Sequence, residues 1–227
     1  MLVNKNNVRI LNCYHLLVAG STGSGKSTLM NGLIYTALCS NPAPYLYLID
    51  VKRTAFKKFR NCSPVLRYIT EVSEVERVLT QILQLIDIRY KELDDDDFAE
   101  NSTRPPVYIF IDEYADLLSR DKKQAKRIEQ MLIRIASIGR AGNVHLIIAT
   151  QTVLARIVTT EIKSNLSRCA LPCTPAQSRI ILDDNETGGA GLSIGECLLK
   201  DGREMLRLNI PKIPDDELRA VIDYWIK

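Results

Sequence analysis

Short runs in which nearly every residue is apolar alternate along the chain with longer stretches whose apolar residues return every three or four positions. The runs are His15–Ala19, Tyr45–Ile49, Val107–Ile111, 144–149 and 168–171. A strand covered on one face alternates apolar with polar; a strand covered on both does not, so these five predict buried strands of a parallel sheet. Between the second and third runs, Val75, Val78, Leu79, Ile82, Leu85 and Ile86 share one helical face, with Ser73 as the expected N-cap. A second helix carries Ile128, Met131, Leu132, Ile135 and Ile138 and is expected to stop between Gly139 and Gly142. Asp215–Ile226 predicts a closing helix introduced by Pro214. Strands alternating with helices in this way give an α/β fold with crossover helices. Neither an internal repeat nor a linker-like stretch divides it, so a single domain over residues 1–227 is expected.

Two segments stand outside this pattern. Four consecutive aspartates at 94–97 repel one another and predict an extended, solvated loop. The glycine-rich stretch 187–191 (Thr187 to Gly191) follows a helix rather than a strand. It lacks the context of a dinucleotide-binding turn and reads as a mobile loop.

Composition adds exclusions. At 46% hydrophobic and 25% charged residues the chain has globular values, which exclude disorder, collagen and coiled coil. Thirty Lys+Arg against 27 Asp+Glu leave a net charge of +3, so a nucleic-acid partner would need a local positive surface. No apolar run approaches the roughly 18 residues of a membrane span, and the first residues are too polar for a secretory signal. Direct membrane insertion is not expected, and the cytoplasm is the expected location. Cys13, Cys39, Cys62, Cys169, Cys173 and Cys197 lack zinc-site spacing in a chain with two histidines. Buried free thiols in a reducing compartment are expected.

The first run leads directly into Gly20-Ser21-Thr22-Gly23-Ser24-Gly25-Lys26-Ser27-Thr28, a GxxxxGK[ST] sequence between a strand and a helix carrying Leu29, Leu33 and Ile34. Glycines admit the backbone angles that turn successive N–H groups towards phosphate oxygens, and the helix N-terminus adds its positive dipole end. Residues 20–28 therefore form a candidate nucleoside-triphosphate loop. Lys26 is expected to reach the β- and γ-phosphates of ATP, and the Ser27 hydroxyl to ligate Mg²⁺.

The third run ends in Asp112-Glu113. A carboxylate at the tip of a buried strand beside the loop suits Mg²⁺, and Asp112 takes that role with Ser27. Glu113 can accept the proton of an attacking water. The fourth run ends in Thr150-Gln151, at the end of a parallel strand where ligands bind, so Gln151 is placed to sense the γ-phosphate or to position that water. His145, on the same strand, is read as a packed side chain.

In order, HLLVAGSTGSGKS, LIDVKR (48–53), IDEYADLL (111–118), GRAGNVHLIIATQ (139–151) and EIKSNLSR (161–168) resemble the motor domain of the FtsK/SpoIIIE family of ATP-driven translocases. The match runs from His15 to the final helix. The resemblance implies a RecA-like P-loop NTPase core with a mostly parallel sheet flanked by helices. It also implies a homo-oligomeric ring, usually a hexamer, around double-stranded DNA. In such rings ATP lies between subunits and a neighbour supplies an arginine in trans. That arginine falls on Arg168, with Arg140 second. Two arginines facing DNA fall on Arg179 and Arg207. The sequence departs from the family where Asp-Pro-Lys becomes Asp50-Val51-Lys52, where Arg-Pro becomes Thr152-Val153, and by one residue between Arg168 and Arg179. With no anchoring segment before it and no winged-helix domain after it, an excised motor or a small mobile-element relative is expected.

The resulting expectation is an ATPase that translocates double-stranded DNA, in conjugative or other mobile-element transfer. Its alternative is a related type VII secretion ATPase moving polypeptide. A binding module that has lost hydrolysis is disfavoured by intact Lys26, Ser27, Asp112 and Glu113. A small-molecule kinase is disfavoured by Glu113 and by the lack of an arginine-rich lid.

Overall fold

The computed structural model describes residues 2–4, 7–9, 14–94, 104–119, 121–183 and 188–226. Among the described residues ten strands form one sheet: β1 (Leu2–Asn4), β2 (Asn7–Arg9), β3 (His15–Ala19), β4 (Tyr45–Ile49), β5 (Val65–Ile69), β6 (Val107–Ile111), β7 (Val144–Thr150), β8 (Ser167–Ala170), β9 (Glu196–Asp201) and β10 (Glu204–Asn209). Their order is β2-β1-β10-β9-β8-β3-β7-β6-β4-β5. The six strands from β8 to β5 are parallel, and β9, β10, β1 and β2 extend the sheet antiparallel. The helices are α1 (Lys26–Leu38), α2 (Val72–Asp94), α3 (Tyr114–Leu117), α4 (Lys122–Ile138), α5 (Thr160–Lys163), α6 (Pro175–Leu182) and α7 (Asp215–Ile226).

Successive side chains of a strand point to opposite faces, which splits the core in two. On one face Leu17, Ile109, Ile111, Leu146 and Ile148 pack with the apolar stripes of α2 and α4. On the other, Leu16, Val18, Phe110, Ile147 and Ala149 pack with α1, Phe56, Phe59 and α7. The absence of alternation in the central runs thus reflects a sheet covered on both sides.

All five predicted strands are present, β7 and β8 with bounds shifted by one residue. Ser73, the expected N-cap of α2, is a correction: the helix begins at Val72, so Ser73 lies inside it. The helix starts two residues earlier because Val72 is itself buried in the α2 core, which extends the apolar stripe towards the N-terminus. The glycine-rich stretch is also corrected. Gly188–Gly191 is a 3-10 turn packed on α6, where a Cβ on Gly189 would lie 2.7 Å from the Cys173 sulfur. Gly188 and Gly189 serve close approach, whereas Gly191 faces open space. Asp94, expected in a loop, is the last residue of α2; Thr187, the aspartates at 95–97 and Cys13 lie outside the described residues. Cys62, Cys169 and Cys197 are buried and outside any disulfide, whereas Cys39 is exposed and Cys173 half-buried. His145 is packed as expected, stacked between Tyr14 and Tyr108 with centroids 5.2 and 4.5 Å away.

Candidate nucleotide site

The carboxyl ends of β3, β6 and β7 are neighbours in the sheet, and each carries part of the site. After β3 the chain turns through the phosphate loop and enters α1. Gly23 and Gly25 have φ of 78° and 94°, in the left-handed region that L side chains disfavour. Gly20 is required for another reason: a Cβ there would lie 2.6 Å from the Leu171 Cβ and 2.7 Å from the Ser24 hydroxyl. The loop is tied down at its start, where the Ser21 N–H donates to the Pro172 carbonyl (3.1 Å). At its tip the Thr22 hydroxyl donates to the Gln151 amide oxygen (3.1 Å), which joins the loop to the end of β7. Thr28 follows in the first turn of α1. The Ser24 hydroxyl is buried without a partner among the described residues, a polar group the loop leaves for a ligand to satisfy.

Lys26 is buried, with its ammonium folded onto the end of β6. It donates to the Asp112 carbonyl (3.1 Å) and lies 3.5 Å from the Glu113 carboxylate and 3.9 Å from that of Asp112. A lone buried ammonium takes the acceptors within reach, and here those are the two carboxylates of the site. Burial pushes the Asp112 carboxyl above the usual carboxylate range, opposed by Lys26 and reinforced by Asp50 and Glu113. A divalent cation beside it would offset that penalty. Asp112 and the exposed Ser27 hydroxyl line the same cavity of about 700 Å³, so the two residues fit the expected Mg²⁺ ligands.

Glu113 is the most tightly fixed group. One carboxylate oxygen accepts from the Thr150 hydroxyl (2.6 Å), and the Gln151 N–H donates to both oxygens (2.9 and 3.2 Å). Sequence reasoning missed Thr150; its signal was its place directly before Gln151 at the end of a buried strand. It also missed Lys52, whose ammonium meets Asp116 at 3.2 Å, and the structural role of Asp50 described below.

The structure does not bring the arginines into this cluster. Arg168 pairs with Leu17 in mid-strand, before the loop begins, and its guanidinium is ion-paired to Asp183 at the end of α6. Its Nε is buried without a partner among the described residues. Lys163 is ion-paired to the same carboxylate. Arg140 lies in the turn before β7, at the amino ends of the parallel strands and away from the site, its guanidinium 4.9 Å above the Tyr14 ring. Arg179 is exposed on α6 with no ion pair among the described residues. Arg207, on β10, is held by Glu196 at 2.8 and 3.2 Å.

The FtsK/SpoIIIE family profile matches residues 3–104 and 99–154. The DNA translocase FtsK of Helicobacter pylori is 33% identical over 231 residues, covering 92% of this chain and 26% of that protein. The DNA translocase SpoIIIE of Bacillus subtilis is 28% identical over 240 residues, 93% of this chain and 30% of that protein. The chain thus spans roughly a quarter to a third of these relatives. Among solved structures, the pCW3 conjugation coupling protein TcpA, in a monomer form with ATPγS, superimposes with a TM-score of 0.82 at 25% identity. That match covers 99% of this chain and 70% of TcpA. The type VII secretion ATPase EccC of Thermomonospora curvata shares the fold, with a TM-score of 0.75 at 22% identity over 93% of this chain and 28% of its own.

Proposed function

The chain belongs to the FtsK/SpoIIIE family, and on that premise we propose that it is an ATP-hydrolysing ring motor that translocates double-stranded DNA. The observation that carries the reading is the convergence of Lys26, Asp112, Glu113 and Gln151 at adjacent strand ends. Loop residues 20–28 cradle the triphosphate, and Lys26 exchanges its strand-end acceptors for the β- and γ-phosphate oxygens. Mg²⁺, held by Ser27 and Asp112, would neutralise charge on those oxygens. Glu113, oriented by Thr150 and the Gln151 N–H, accepts the proton of the attacking water, and the Gln151 amide positions that water. Arg168 of a neighbouring subunit completes the site in a hexameric ring, bringing its positive charge to the γ-phosphate in the transition state.

No helix among the described residues is long and apolar enough to cross a membrane. The proposed motor works in the cytoplasm, in conjugative or mobile-element DNA transfer, as the likeness to TcpA supports. Arg179 and Arg207 are the proposed DNA contacts. The Glu196 pairing of Arg207 favours a second reading, a secretion ATPase with polypeptide cargo, because that arginine must give up a partner before it meets phosphate. The test is duplex DNA binding across a salt series. Each phosphate neutralised contributes about −0.9 to the log–log slope. Arg179→Ala and Arg207→Ala should each flatten it by roughly one unit and weaken all sequences alike. Identical curves for both variants remove these contacts. An assembled ring that never binds DNA moves the reading to polypeptide.

A further inference from the structure

The cavity that opens on Ser27, Asp112 and Gln151 is also lined by Lys57, Lys58 and Arg60. These three lie on the loop between β4 and β5, are exposed, and have no carboxylate within ion-pair distance among the described residues. Lys58 lies 5.4 Å over the Phe59 ring, and burial pulls its ammonium below the usual lysine range, partly opposed by Asp215.

Unpaired like charges beside one another normally sit on mobile stems at an open surface. Here the backbone that carries them is fixed. Asp50, fully buried, accepts hydrogen bonds from the N–H groups of Thr54, Ala55 and Phe56. Phe56 and Phe59 are themselves buried in the core on either side of Lys57 and Lys58. The positive charge is therefore built in, and it faces the same cavity that Ser27, Asp112 and Gln151 line. A duplex is far wider than this cavity, whereas a hydrated phosphate ion fits within it.

We propose that Lys57, Lys58 and Arg60 form a site for inorganic phosphate on its way out of the nucleotide site. This deepens the ATPase reading and rests on it: hydrolysis of ATP by water yields ADP and phosphate, and the phosphate dianion leaves past Ser27 and Asp112 into the basic vestibule. The vestibule draws the anion away from the two carboxylates, which repel it, and so favours forward turnover.

The test is equilibrium binding of inorganic phosphate to the full chain loaded with Mg·ADP, followed by ³¹P NMR and by phosphate inhibition of turnover. A dianion at several ångströms from one screened charge gains enough Coulomb energy for about a five- to tenfold change in affinity. Lys57→Gln, Lys58→Gln and Arg60→Gln should each weaken phosphate by about that factor at low salt, and the triple variant by roughly a hundred- to a thousandfold. ADP affinity should not change. Lys57→Arg, which keeps the charge, should bind phosphate as the parent does, so a loss confined to the glutamine variants is not a folding defect. ADP binding without phosphate binding in the parent overturns this inference and leaves the ATPase reading standing; failure to bind ADP at all sinks the ATPase reading and the inference with it. Unchanged phosphate affinity in the triple variant also overturns it. So does a loss of DNA affinity with phosphate binding intact, which would make the cluster a DNA contact.

Discussion

Replacing Asp50 separates the frame of the site from its chemistry. One carboxylate oxygen accepts the Thr54 N–H at 3.1 Å. The other accepts the N–H groups of Ala55 (3.1 Å) and Phe56 (2.9 Å) and the Tyr68 hydroxyl (3.1 Å). Hydrogen bonds to a charged acceptor are worth about 1.5–3 kcal/mol each. In Asp50→Ala, water can replace the acceptor for the exposed Thr54 and partly for Ala55, but the Phe56 N–H and the half-buried Tyr68 hydroxyl lose theirs. Those two losses sum to about 3–6 kcal/mol, reduced because a buried charge is also removed. A net cost of about 2–4 kcal/mol follows, or roughly 5–15 °C in Tm for a chain of this size. Asp50→Asn can keep its oxygen towards Ala55, Phe56 and Tyr68 and lose only the contact to Thr54 and the charge, at about 1–2 kcal/mol. The assay is thermal and urea unfolding of the three proteins at pH 7, with amide exchange at residues 54–56 as the local readout. Asp50→Ala within about 0.5 kcal/mol of the parent, a change typical of ordinary surface substitutions, would refute the reasoning. An Asn variant as damaged as the Ala variant would show that charge, not acceptor geometry, holds the loop.

Burial holds both His15 and His145 down to about 4, with the charge of His15 adding to the effect at His145. The unfolded chain then binds protons from about pH 6.5 while the folded chain does not, so stability falls as pH drops from about 6.5 towards 4. His145→Phe, which keeps a ring between Tyr14 and Tyr108, should flatten the Tm profile between pH 6.5 and 5; an unchanged slope would discard this origin of acid sensitivity. Mixing two inactive variants, Lys26→Ala and Arg168→Ala, should restore part of the activity, because some mixed interfaces pair an intact loop with an intact arginine. An arginine finger contributes about 10³–10⁵ in kcat, so recovery would be easily read. No recovery despite co-assembly would place Arg168 in its own subunit's site or leave Arg140 as the finger.

The central strands were legible because burial on both faces leaves an uninterrupted apolar run. The same cue hides β5, an edge strand in which Leu66 and Arg67 face solvent, and the hairpin of β9 and β10. That hairpin did carry a signal, since Asp201-Gly202 sits between two alternating segments and Gly202 has φ 57°. Within the site, Lys26, Ser27, Asp112 and Glu113 were legible because phosphate and metal chemistry fixes their spacing along the chain. Thr150 and Asp50 were not, because their roles depend on which backbone N–H or carboxylate the fold brings opposite them. The same holds for Arg168, whose ion pair to Asp183 forms only when α6 folds back beside β8.

The most direct test of the central claim is ATP turnover by the assembled chain, with and without duplex DNA, in the parent and in Glu113→Gln. The account predicts that DNA raises the parent's rate. Glu113→Gln should bind Mg·ATP as the parent does but turn over about 10²–10⁴-fold more slowly, since an amide cannot accept the water's proton. Equal nucleotide binding with unimpaired turnover in Glu113→Gln would contradict it.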